Sequence, residues 1–170
     1  NILKACKTHQ ISKLIYTSTP SVIHAGGDVE GIDEAEPYPE HFETHYPATK
    51  AMAEKMVLEA NGPDLQTVAL RPHLIWGPED NHLVPRIVDR GQRGKLKLVG
   101  GGLKLIDSVY IDNAADAHIL AGDKLAPDAA CAGKAYFITQ DAPIPSHLLI
   151  NGILNAAGLG PVQRSVHPKV

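Results

Sequence analysis

The sequence has few of the features that mark disulfide-stabilised, membrane-spanning or nucleic-acid-binding proteins. Only two of its 170 residues are cysteine, and Cys6 and Cys131 lie in unrelated contexts. A disulfide framework is therefore not expected, and a reducing, cytoplasmic location is. No run approaches the roughly 18 consecutive apolar residues that an integral membrane segment requires. The net charge of −3 gives no reason to expect a nucleic-acid partner.

Further absences exclude particular kinds of active site. There is no Gly-x-Ser-x-Gly motif, so a serine nucleophile is not expected. The densest group of metal-ligand side chains, His41, Glu43 and His45, lacks the spacing of a recognised zinc site, and we predict no metal. The glycines at 26–27 and 100–102 follow no suitable strand and precede no suitable helix, which argues against a phosphate-binding turn.

What is present is the composition of an ordinary soluble globular protein, with 44% hydrophobic and 21% charged residues. Apolar patterns predict alternating strands and helices, and hence an α/β architecture with a largely parallel sheet. The last helix is expected to begin with Ser146 as N-cap and to stop at Gly158. The predicted strands are 13–19, 66–72, 95–99, 105–111 and 134–139, and the other helices are 1–10, 46–60, 82–94 and 112–125.

One combination of residues carries chemistry. The strand 13–19 ends in three hydroxyl residues, Thr17, Ser18 and Thr19, and the helix that follows begins with Tyr46 and has Lys50 one turn later. In an open parallel sheet, ligands bind at the carboxyl ends of the strands. A hydroxyl, a phenol and an ammonium that meet there suit proton transfer to or from an alcohol oxygen.

Simpler interpretations exist for each residue taken singly. Tyr46 could be a half-buried packing residue, and Lys50 could form an ion pair with Glu54, four residues on. Serine and threonine at the end of a strand commonly form turns. The ordered combination favours the chemical interpretation, because the Tyr/Lys helix is followed by an apolar strand that ends in "RPHLIWGP".

These segments, in this order, resemble the extended short-chain dehydrogenase/reductase family. Within it they are most similar to the branch of 3β-hydroxysteroid dehydrogenases and sterol-4α-carboxylate 3-dehydrogenases. The resemblance covers residue 1 to about 160. The segments that carry it are "KLIYTSTPSV", "HYPATKAMAEKMV", "TVALRPHLIWGPED", "NHLVPRIVDRGQRGKLKLVGGG", "YIDNAADAHILA" and "GKAYFITQDAPIP".

The resemblance implies a role for each matching position. Tyr46 would be the catalytic acid/base, Lys50 would favour its phenolate and bind the nicotinamide ribose, and Thr19 would polarise the substrate oxygen. The family more often has serine where Thr19 stands. The remaining cofactor-binding positions implied are Thr17, Ser18, Pro72, His73 and Ile75.

The family's Gly-rich dinucleotide-binding turn has no counterpart in the sequence, which therefore leaves NAD and NADP as equal alternatives. The fold expected is the C-terminal part of a Rossmann-like sheet plus a small α/β substrate-binding subdomain. Residues 1–76 would be the back half of the dinucleotide-binding domain and 77–170 mostly the substrate-binding subdomain, with about 105–125 returning to the main domain. On this interpretation the chain is an incomplete, inactive fragment of a longer enzyme.

Three functions remain open. The first is an NAD(P)-dependent oxidoreductase acting on a secondary alcohol or ketone of a steroid-like or other apolar substrate. The second is a nucleotide-sugar epimerase or dehydratase of the same family, although residues 105–108 lack the arginine that meets the substrate diphosphate in those enzymes. The third is a non-catalytic binding domain. The resemblance also implies a possible homodimer through the Tyr/Lys helix.

Overall fold

The computed structural model describes residues 1–168, which form five α-helices, nine strands and two 3-10 helices. The expected α/β class with parallel strand pairing is confirmed. The 3-10 helices are Pro20–Ile23 and Gly100–Gly102. In chain order the other elements are α1 (Ile2–Thr8), β1 (Lys13–Thr17), α2 (His45–Glu59), β2 (Gln66–Pro72), β3 (Leu74–Trp76), α3 (Leu83–Gln92), β4 (Leu98–Val99), β5 (Leu105–Ile106), β6 (Ser108–Tyr110), α4 (Ile111–Lys124), β7 (Lys134–Ile138), β8 (Ile144–Pro145), α5 (Ser146–Ala156) and β9 (Ser165–Val166).

The chain divides into two compact units. Unit 1 contains Asn1–His73 and Asp112–Ile138, and unit 2 contains Leu74–Ile111 and the chain from Thr139 onward. The roles that the sequence assigns to residues 1–76 and 77–170 remain predictions. Within residues 1–168, no helix is both long enough and apolar enough to cross a membrane.

Unit 1 is built on a three-stranded parallel sheet in the order β1-β2-β7. All seven residues of β2 are buried, as its nearly continuous apolar sequence predicts for a central strand. Thr17 lies opposite Leu70 and Pro72 opposite Ile138, so the three strands end at the same edge. This edge is where the sequence places the chemistry-bearing residues.

Successive side chains of β2 point to opposite faces of the sheet, and each face is covered by a helix. On one face Val68 and Leu70 form a cluster with buried Leu125, against which Ala117 and Ala121 of α4 pack. On the other face Arg71 meets Glu54 of α2. The sheet of unit 1 therefore has α2 on one side and α4 on the other.

The outer side of β7 is capped by a side chain from the long polar loop, residues 24–44, which lies between the 3-10 helix Pro20–Ile23 and α2. The backbone N–H of Phe137 donates to Oε1 of Glu34 over 2.8 Å. Strand β2 occupies the other side of β7. Within residues 1–168, β7 is thus an edge strand with one outward N–H engaged by a carboxylate.

Helix α2 forms in spite of a proline in its first turn. Pro47 is the third helical residue, where an N–H has no intrahelical acceptor, so its missing donor is tolerated. The hydroxyl of Thr49 donates to the backbone oxygens of His45 at 2.8 Å and Tyr46 at 3.0 Å. Alanines at 48, 51 and 53 favour the helical conformation through the rest of the segment.

Unit 2 contains three short strand pairs and two helices in contact. The pairs β3–β6 and β4–β9 are parallel, and β5–β8 is antiparallel. Helices α3 and α5 pack together where Gly91 faces the buried Leu154, and a Cβ at position 91 would overlap that leucine side chain. The carboxylate of Asp80 accepts hydrogen bonds from the N–H groups of His82, Leu83 and Val84 at the start of α3.

Three details of the predicted elements were wrong. The strand expected over 95–99 is limited to Leu98–Val99. The extended stretch expected over 105–111 is broken at Asp107, whose carboxylate accepts from the N–H of Ser108, and Ile111 already begins α4. Ser146 is the first residue of α5 and not its N-cap, because its hydroxyl donates to the carbonyl of Gly102, 3.1 Å away.

Candidate active site

Tyr46 and Lys50 lie one turn apart at the start of α2, as the sequence predicts. The Tyr46 side chain is 59% exposed. Among residues 1–168 its phenol forms no hydrogen bond. The helix contacts the 3-10 helix Pro20–Ile23, which directly follows Thr19. Tyr46 is therefore an accessible phenol on a helix that packs close to the end of β1.

Lys50 is held by the end of β1. Its ammonium donates to the backbone oxygen of Thr17 over 2.6 Å and lies 4.4 Å from the centre of the Tyr16 ring. An ammonium has three donors, so two remain for a ligand. The alternative ion pair between Lys50 and Glu54 is absent from residues 1–168, because Glu54 is fully buried and pairs with Arg71.

The side chain of Thr17 makes a second contact that the sequence does not reveal. Its hydroxyl lies 2.8 Å from Nε2 of His118, on α4. The other ring nitrogen, Nδ1, lies 2.6 Å from the backbone oxygen of Ala114. Thr17 thus joins Lys50 of α2 and His118 of α4 at the end of β1. His118 is separated from Thr17 by 101 residues, and the only sequence signal is its place in the segment "YIDNAADAHILA".

Ser18 and Thr19 are both buried, at 5% and 9% exposure. The Thr19 hydroxyl caps the following 3-10 helix by accepting from the N–H of Ser21 over 3.3 Å, and it lies 3.3 Å from the Ser21 hydroxyl. The Ser18 hydroxyl has no hydrogen-bond partner in good geometry among residues 1–168. The turn-forming interpretation of these hydroxyls therefore describes Thr19, since its oxygen is used locally.

The three positions expected to line the nicotinamide fall in different units. Pro72 ends β2, and the N–H of His73 donates to the backbone oxygen of Ile138 over 3.0 Å. The His73 ring meets Phe137 edge to face, with 5.7 Å between ring centres. Ile75 belongs to unit 2, where it lies opposite Val109 in the β3–β6 pair. The structure brings Pro72 and His73 to the same sheet edge as Thr17.

A buried ionic network behind the site is the main feature that sequence reasoning missed. Arg71 of β2 and Glu54 of α2 form an ion pair of 2.7 Å, with 3% and 0% side-chain exposure. The Tyr38 hydroxyl donates to the same carboxylate over 2.7 Å. The Arg71 guanidinium also lies over the ring of Phe137, 5.4 Å from its centre. The sequence offered two signals of this network. Glu54 lies four residues after Lys50, and Arg71 lies near the end of a buried strand.

The network holds Glu54 ionised. Burial by itself raises the pKa of the Glu54 carboxyl, but the interactions with Arg71, Ser18 and Tyr38, in that order, outweigh it and hold the pKa below its ordinary value. The Ser18 hydroxyl lowers this pKa although it lies near the carboxylate without a formed hydrogen bond. Burial, followed by the hydrogen bond to Glu54, raises the pKa of Tyr38 to about 12. Tyr38 therefore remains a protonated donor at neutral pH.

Neither rejected glycine segment forms a strand–turn–helix phosphate site. Gly26 and Gly27 lie in the loop after the 3-10 helix Pro20–Ile23, and no α-helix starts before His45. Gly100–Gly102 form a 3-10 helix between β4 and β5. In the part of the chain that the structure describes, no three His, Cys, Asp or Glu side chains are grouped so as to hold a metal ion.

Comparison with known proteins identifies a family that covers nearly the whole chain. The sequence model of the 3-beta hydroxysteroid dehydrogenase/isomerase family matches residues 1–167. A 2-alkyl-3-oxoalkanoate reductase of Stenotrophomonas maltophilia is 54% identical over 98% of this chain and 51% of its own length. A decarboxylating sterol-4-alpha-carboxylate 3-dehydrogenase of Mus musculus is 40% identical over 90% of this chain and 43% of its own length. The chain thus spans about half the length of the curated relatives it matches.

Solved structures share the fold at low sequence identity. A UDP-glucuronic acid 4-epimerase from Bacillus cereus, in complex with NAD, superposes with a TM-score of 0.79 at 22% identity, covering 99% of this chain and 54% of the epimerase. DesIV, a dTDP-glucose 4,6-dehydratase from Streptomyces venezuelae with NAD and TYD bound, gives a TM-score of 0.77 at 20% identity, covering 99% of this chain and 51% of the dehydratase. At these identities the likeness shows the fold alone.

Proposed function

Since this chain belongs to the 3-beta hydroxysteroid dehydrogenase/isomerase family, we propose that it is part of an NAD(P)-dependent oxidoreductase that interconverts a secondary alcohol and a ketone. The observation that carries the proposal is the arrangement of Tyr46 and Lys50. Lys50 is fixed against the end of β1 through the Thr17 carbonyl, and Tyr46 presents an exposed phenol on the same helix. A phenol one helical turn from a cation suits proton exchange with an alcohol oxygen.

The residues present fit a nicotinamide dinucleotide, whose chemistry when bound is the transfer of a hydride. The two remaining donors of Lys50 can hold ribose hydroxyls, and Thr17, Pro72 and His73 lie at the same sheet edge, where such ligands bind in open parallel sheets. Ser18 and Ile75 are further proposed contacts. Either NAD or NADP is compatible with these residues.

In this mechanism Tyr46 moves the proton. The phenol gives its proton to the carbonyl oxygen during reduction and takes it back during oxidation, and the positive charge of Lys50 stabilises the phenolate that forms. Thr19 is proposed to donate its hydroxyl to the same substrate oxygen. For this, the Thr19 hydroxyl proton has to turn from the Ser21 oxygen, 3.3 Å away, toward the substrate.

The substrate class follows from what the two kinds of relative have in common. A 2-alkyl-3-oxoalkanoate and the ketone formed from a sterol 4α-carboxylate both carry a carbonyl two carbons from a carboxylate, next to an apolar substituent. We propose a β-hydroxy or β-keto acid with a steroid or other apolar group as the substrate. A β-keto acid of this kind loses carbon dioxide readily, so oxidation could be followed by decarboxylation.

The proposed role of Tyr46 is tested in the full-length parent protein. Tyr46→Phe removes the transferable proton and is expected to lower kcat by about 10²–10⁴-fold, with dinucleotide binding unchanged. Lys50→Met is expected to lower kcat and to weaken dinucleotide binding as well. Tyr136→Phe and Lys55→Met are the matched controls, because these residues lie on β7 and on the far part of α2.

Three outcomes separate the candidate functions. Full turnover in Tyr46→Phe would refute the proton-transfer role. Turnover of a nucleotide sugar in place of an apolar hydroxy acid would favour an epimerase or dehydratase, the class to which the similar solved structures belong. Dinucleotide binding without turnover of any substrate would favour a non-catalytic binding domain.

The oligomeric state and the cellular location complete the proposal. We propose a homodimer through α2, since Met52 and Met56 are 65% and 57% exposed and lie one turn apart on that helix. A cytoplasmic location is proposed from the two cysteines, both of which are free thiols. The oligomeric state is measured by sedimentation of the parent protein and of its Met52→Lys variant, which is expected to be monomeric.

A further inference from the structure

The net charge of −3 conceals an uneven distribution of charge between the two units. Unit 1 has eight Lys and Arg residues against fourteen Asp and Glu, a net charge of −6. Unit 2 has eight against five, a net charge of +3. Neither of the stretches 90–106 and 142–168 contains Asp or Glu, whereas the first contains five cations and the second contains one. Their cations are Arg90, Arg93, Lys95, Lys97, Lys104 and Arg164.

The same two stretches expose large aliphatic side chains. Leu103 is 70% exposed, Val99 54%, Leu148 53% and Val166 37%, and Leu105, in the β5–β8 pair, is 52% exposed. Singly exposed apolar residues are normal on protein surfaces, but several close together indicate an interaction site. The question is therefore whether the side chains of Val99, Leu103, Leu148 and Val166 belong to one surface.

Hydrogen bonds join the segments that carry these exposed aliphatic side chains. Val99 and Val166 are directly opposite each other in the β4–β9 pair. The hydroxyl of Ser165 accepts from the N–H of Gly101 over 3.0 Å and donates to the backbone oxygen of Leu98 over 3.1 Å. The triglycine turn between Val99 and Leu103 is thus bonded to β9 on one side.

On its other side the triglycine turn is bonded to the start of α5. The backbone oxygen of Gly102 accepts from the Ser146 hydroxyl and from Nδ1 of His147, at 3.1 and 2.9 Å. Gly102 has a φ of 71°, and a Cβ there would lie 2.8 Å from the Cβ of His147, so this close approach requires glycine. Leu103 and Leu148 follow the bonded residues directly. We call Val99, Leu103, Leu148 and Val166 the β4–β9 surface.

Positive charges adjoin the β4–β9 surface. Lys97 and Arg164 each precede a strand of the pair, and the N–H of Leu98 donates to the backbone oxygen of Arg164 over 2.9 Å. Neither Lys97 nor Arg164 forms an ion pair with any of residues 1–168, in contrast to Arg71, which pairs with Glu54, and Arg93, which pairs with Asp89. Aliphatic side chains and cations without carboxylate partners therefore lie together.

We propose that the β4–β9 surface docks on a membrane surface that contains anionic lipids. Interfacial binding combines the burial of apolar side chains at the headgroup boundary with attraction of Lys and Arg to anionic headgroups. Nucleic acid would match the charge but would leave four aliphatic side chains without apolar partners. The proposal does not depend on the reaction assigned to the active site.

The test measures binding of the full-length parent protein to vesicles by co-sedimentation. Binding is expected to vesicles of phosphatidylcholine with phosphatidylserine, to be weak with phosphatidylcholine alone, and to fall as salt is added. Lys97→Gln with Arg164→Gln is expected to lower the partition coefficient about 25-fold, because each cation near an anionic membrane contributes about 1 kcal/mol, or about fivefold. Leu103→Ser with Leu148→Ser is expected to lower it at least tenfold.

Control variants for the vesicle-binding experiment are made in unit 1. Lys4→Gln with Lys7→Gln removes two exposed cations, and Ile119→Ser with Leu120→Ser removes two aliphatic side chains that are 63% and 57% exposed. Both pairs are expected to bind vesicles as the unaltered protein does. Absence of vesicle binding, equal loss in the control variants, or self-association abolished by the Leu103 and Leu148 changes would each overturn the proposal, the last in favour of a second copy of the chain.

Discussion

Thr17 is the residue at which the contacts of the candidate site meet. Its backbone oxygen accepts the ammonium of Lys50, and its hydroxyl is bonded to His118. A carbonyl oxygen can only accept a hydrogen bond, so the His118 Nδ1 that lies 2.6 Å from the Ala114 oxygen must carry a proton. In the neutral ring Nε2 is then the acceptor, and the Thr17 hydroxyl donates to it. The lone pairs of that hydroxyl remain available to a ligand.

This assignment predicts the tautomer of His118. At a pH where the ring is neutral, ¹⁵N NMR of the parent protein is expected to show the Nδ1–H form. Thr17→Val should leave that tautomer in place and lower the free energy of unfolding by about 1 kcal/mol, the usual contribution of one hydrogen bond. Thr17→Ser retains the hydroxyl and should leave the free energy of unfolding unchanged. An Nε2–H tautomer in the unaltered protein would contradict the assigned donors.

At this scale the sequence predicts some residues of the site and misses others for a physical reason. Tyr46 and Lys50 share one helix turn, so their spacing indicates their proximity, and Thr17 was expected nearby because ligands bind at the carboxyl ends of parallel strands. His118 reaches Thr17 only because α4 packs near the end of β1, over a sequence separation of 101 residues, and Tyr16 reaches Lys50 only because α2 packs against β1. No local pattern encodes such a contact. The roles assigned to Tyr46, Lys50 and Thr19 remain predictions until the variants are measured.

Among the elements, α2 and β2 are joined by the buried pair of Glu54 and Arg71. The pair connects the helix that carries Tyr46 and Lys50 to the central strand, and Tyr38 connects the long polar loop to both. A buried charge without its partner is strongly unfavourable, whereas an apolar replacement of both partners can be neutral. We therefore regard the pair as a clamp between α2 and β2.

The clamp predicts a large loss of stability for a single substitution. Glu54→Ala in the parent protein is expected to lower the free energy of unfolding by about 3–5 kcal/mol, measured by chemical denaturation. The exposed Glu59→Ala, on the same helix, should change it by less than about 0.5 kcal/mol. Glu54→Leu with Arg71→Leu should be more stable than Glu54→Ala, and equal losses in both would argue against a buried charge as the cause.

The same clamp predicts a pH dependence. The folded-state pKa of Glu54 is depressed, so its contribution is present above its ordinary value of 4.5 and is lost as pH falls through the folded-state pKa. The pKa of Tyr38 is raised from 10.0 to about 12, so its contribution is present below pH 10 and is lost as pH rises toward 12. Tyr38→Phe should remove the alkaline loss in a denaturation series over this range.

Element prediction succeeded where a segment is long and its apolar period clear. Strand β2, predicted over 66–72, is observed at Gln66–Pro72, and α2, predicted over 46–60, at His45–Glu59. The two-residue strands β8 and β9 are formed only by pairing with distant partners, so no period of their own could reveal them. Ser146 was wrongly predicted as a cap because its hydroxyl is bonded to Gly102, and the sequence does not reveal this tertiary contact.

For the molecule as a whole, the family is confirmed and the α/β fold with it. The long polar loop supplies contacts to both α2 and the sheet. Tyr38 reaches the buried clamp, and Glu34 reaches the outer side of β7. The separation of charge, −6 in unit 1 and +3 in unit 2, follows from residue counts but requires the boundaries of the units.

The contact between Glu34 and Phe137 bears on self-assembly of the protein into aggregates. An uncovered strand edge offers N–H groups to which a foreign strand can add, and charged side chains are a common defence against such pairing. Here a carboxylate occupies an outward donor of β7 directly. Glu34→Ala in the parent protein is expected to increase thioflavin-positive aggregation on prolonged incubation, relative to Glu36→Ala in the same loop. Equal aggregation in the two variants would mean that the acidic loop does not guard this edge.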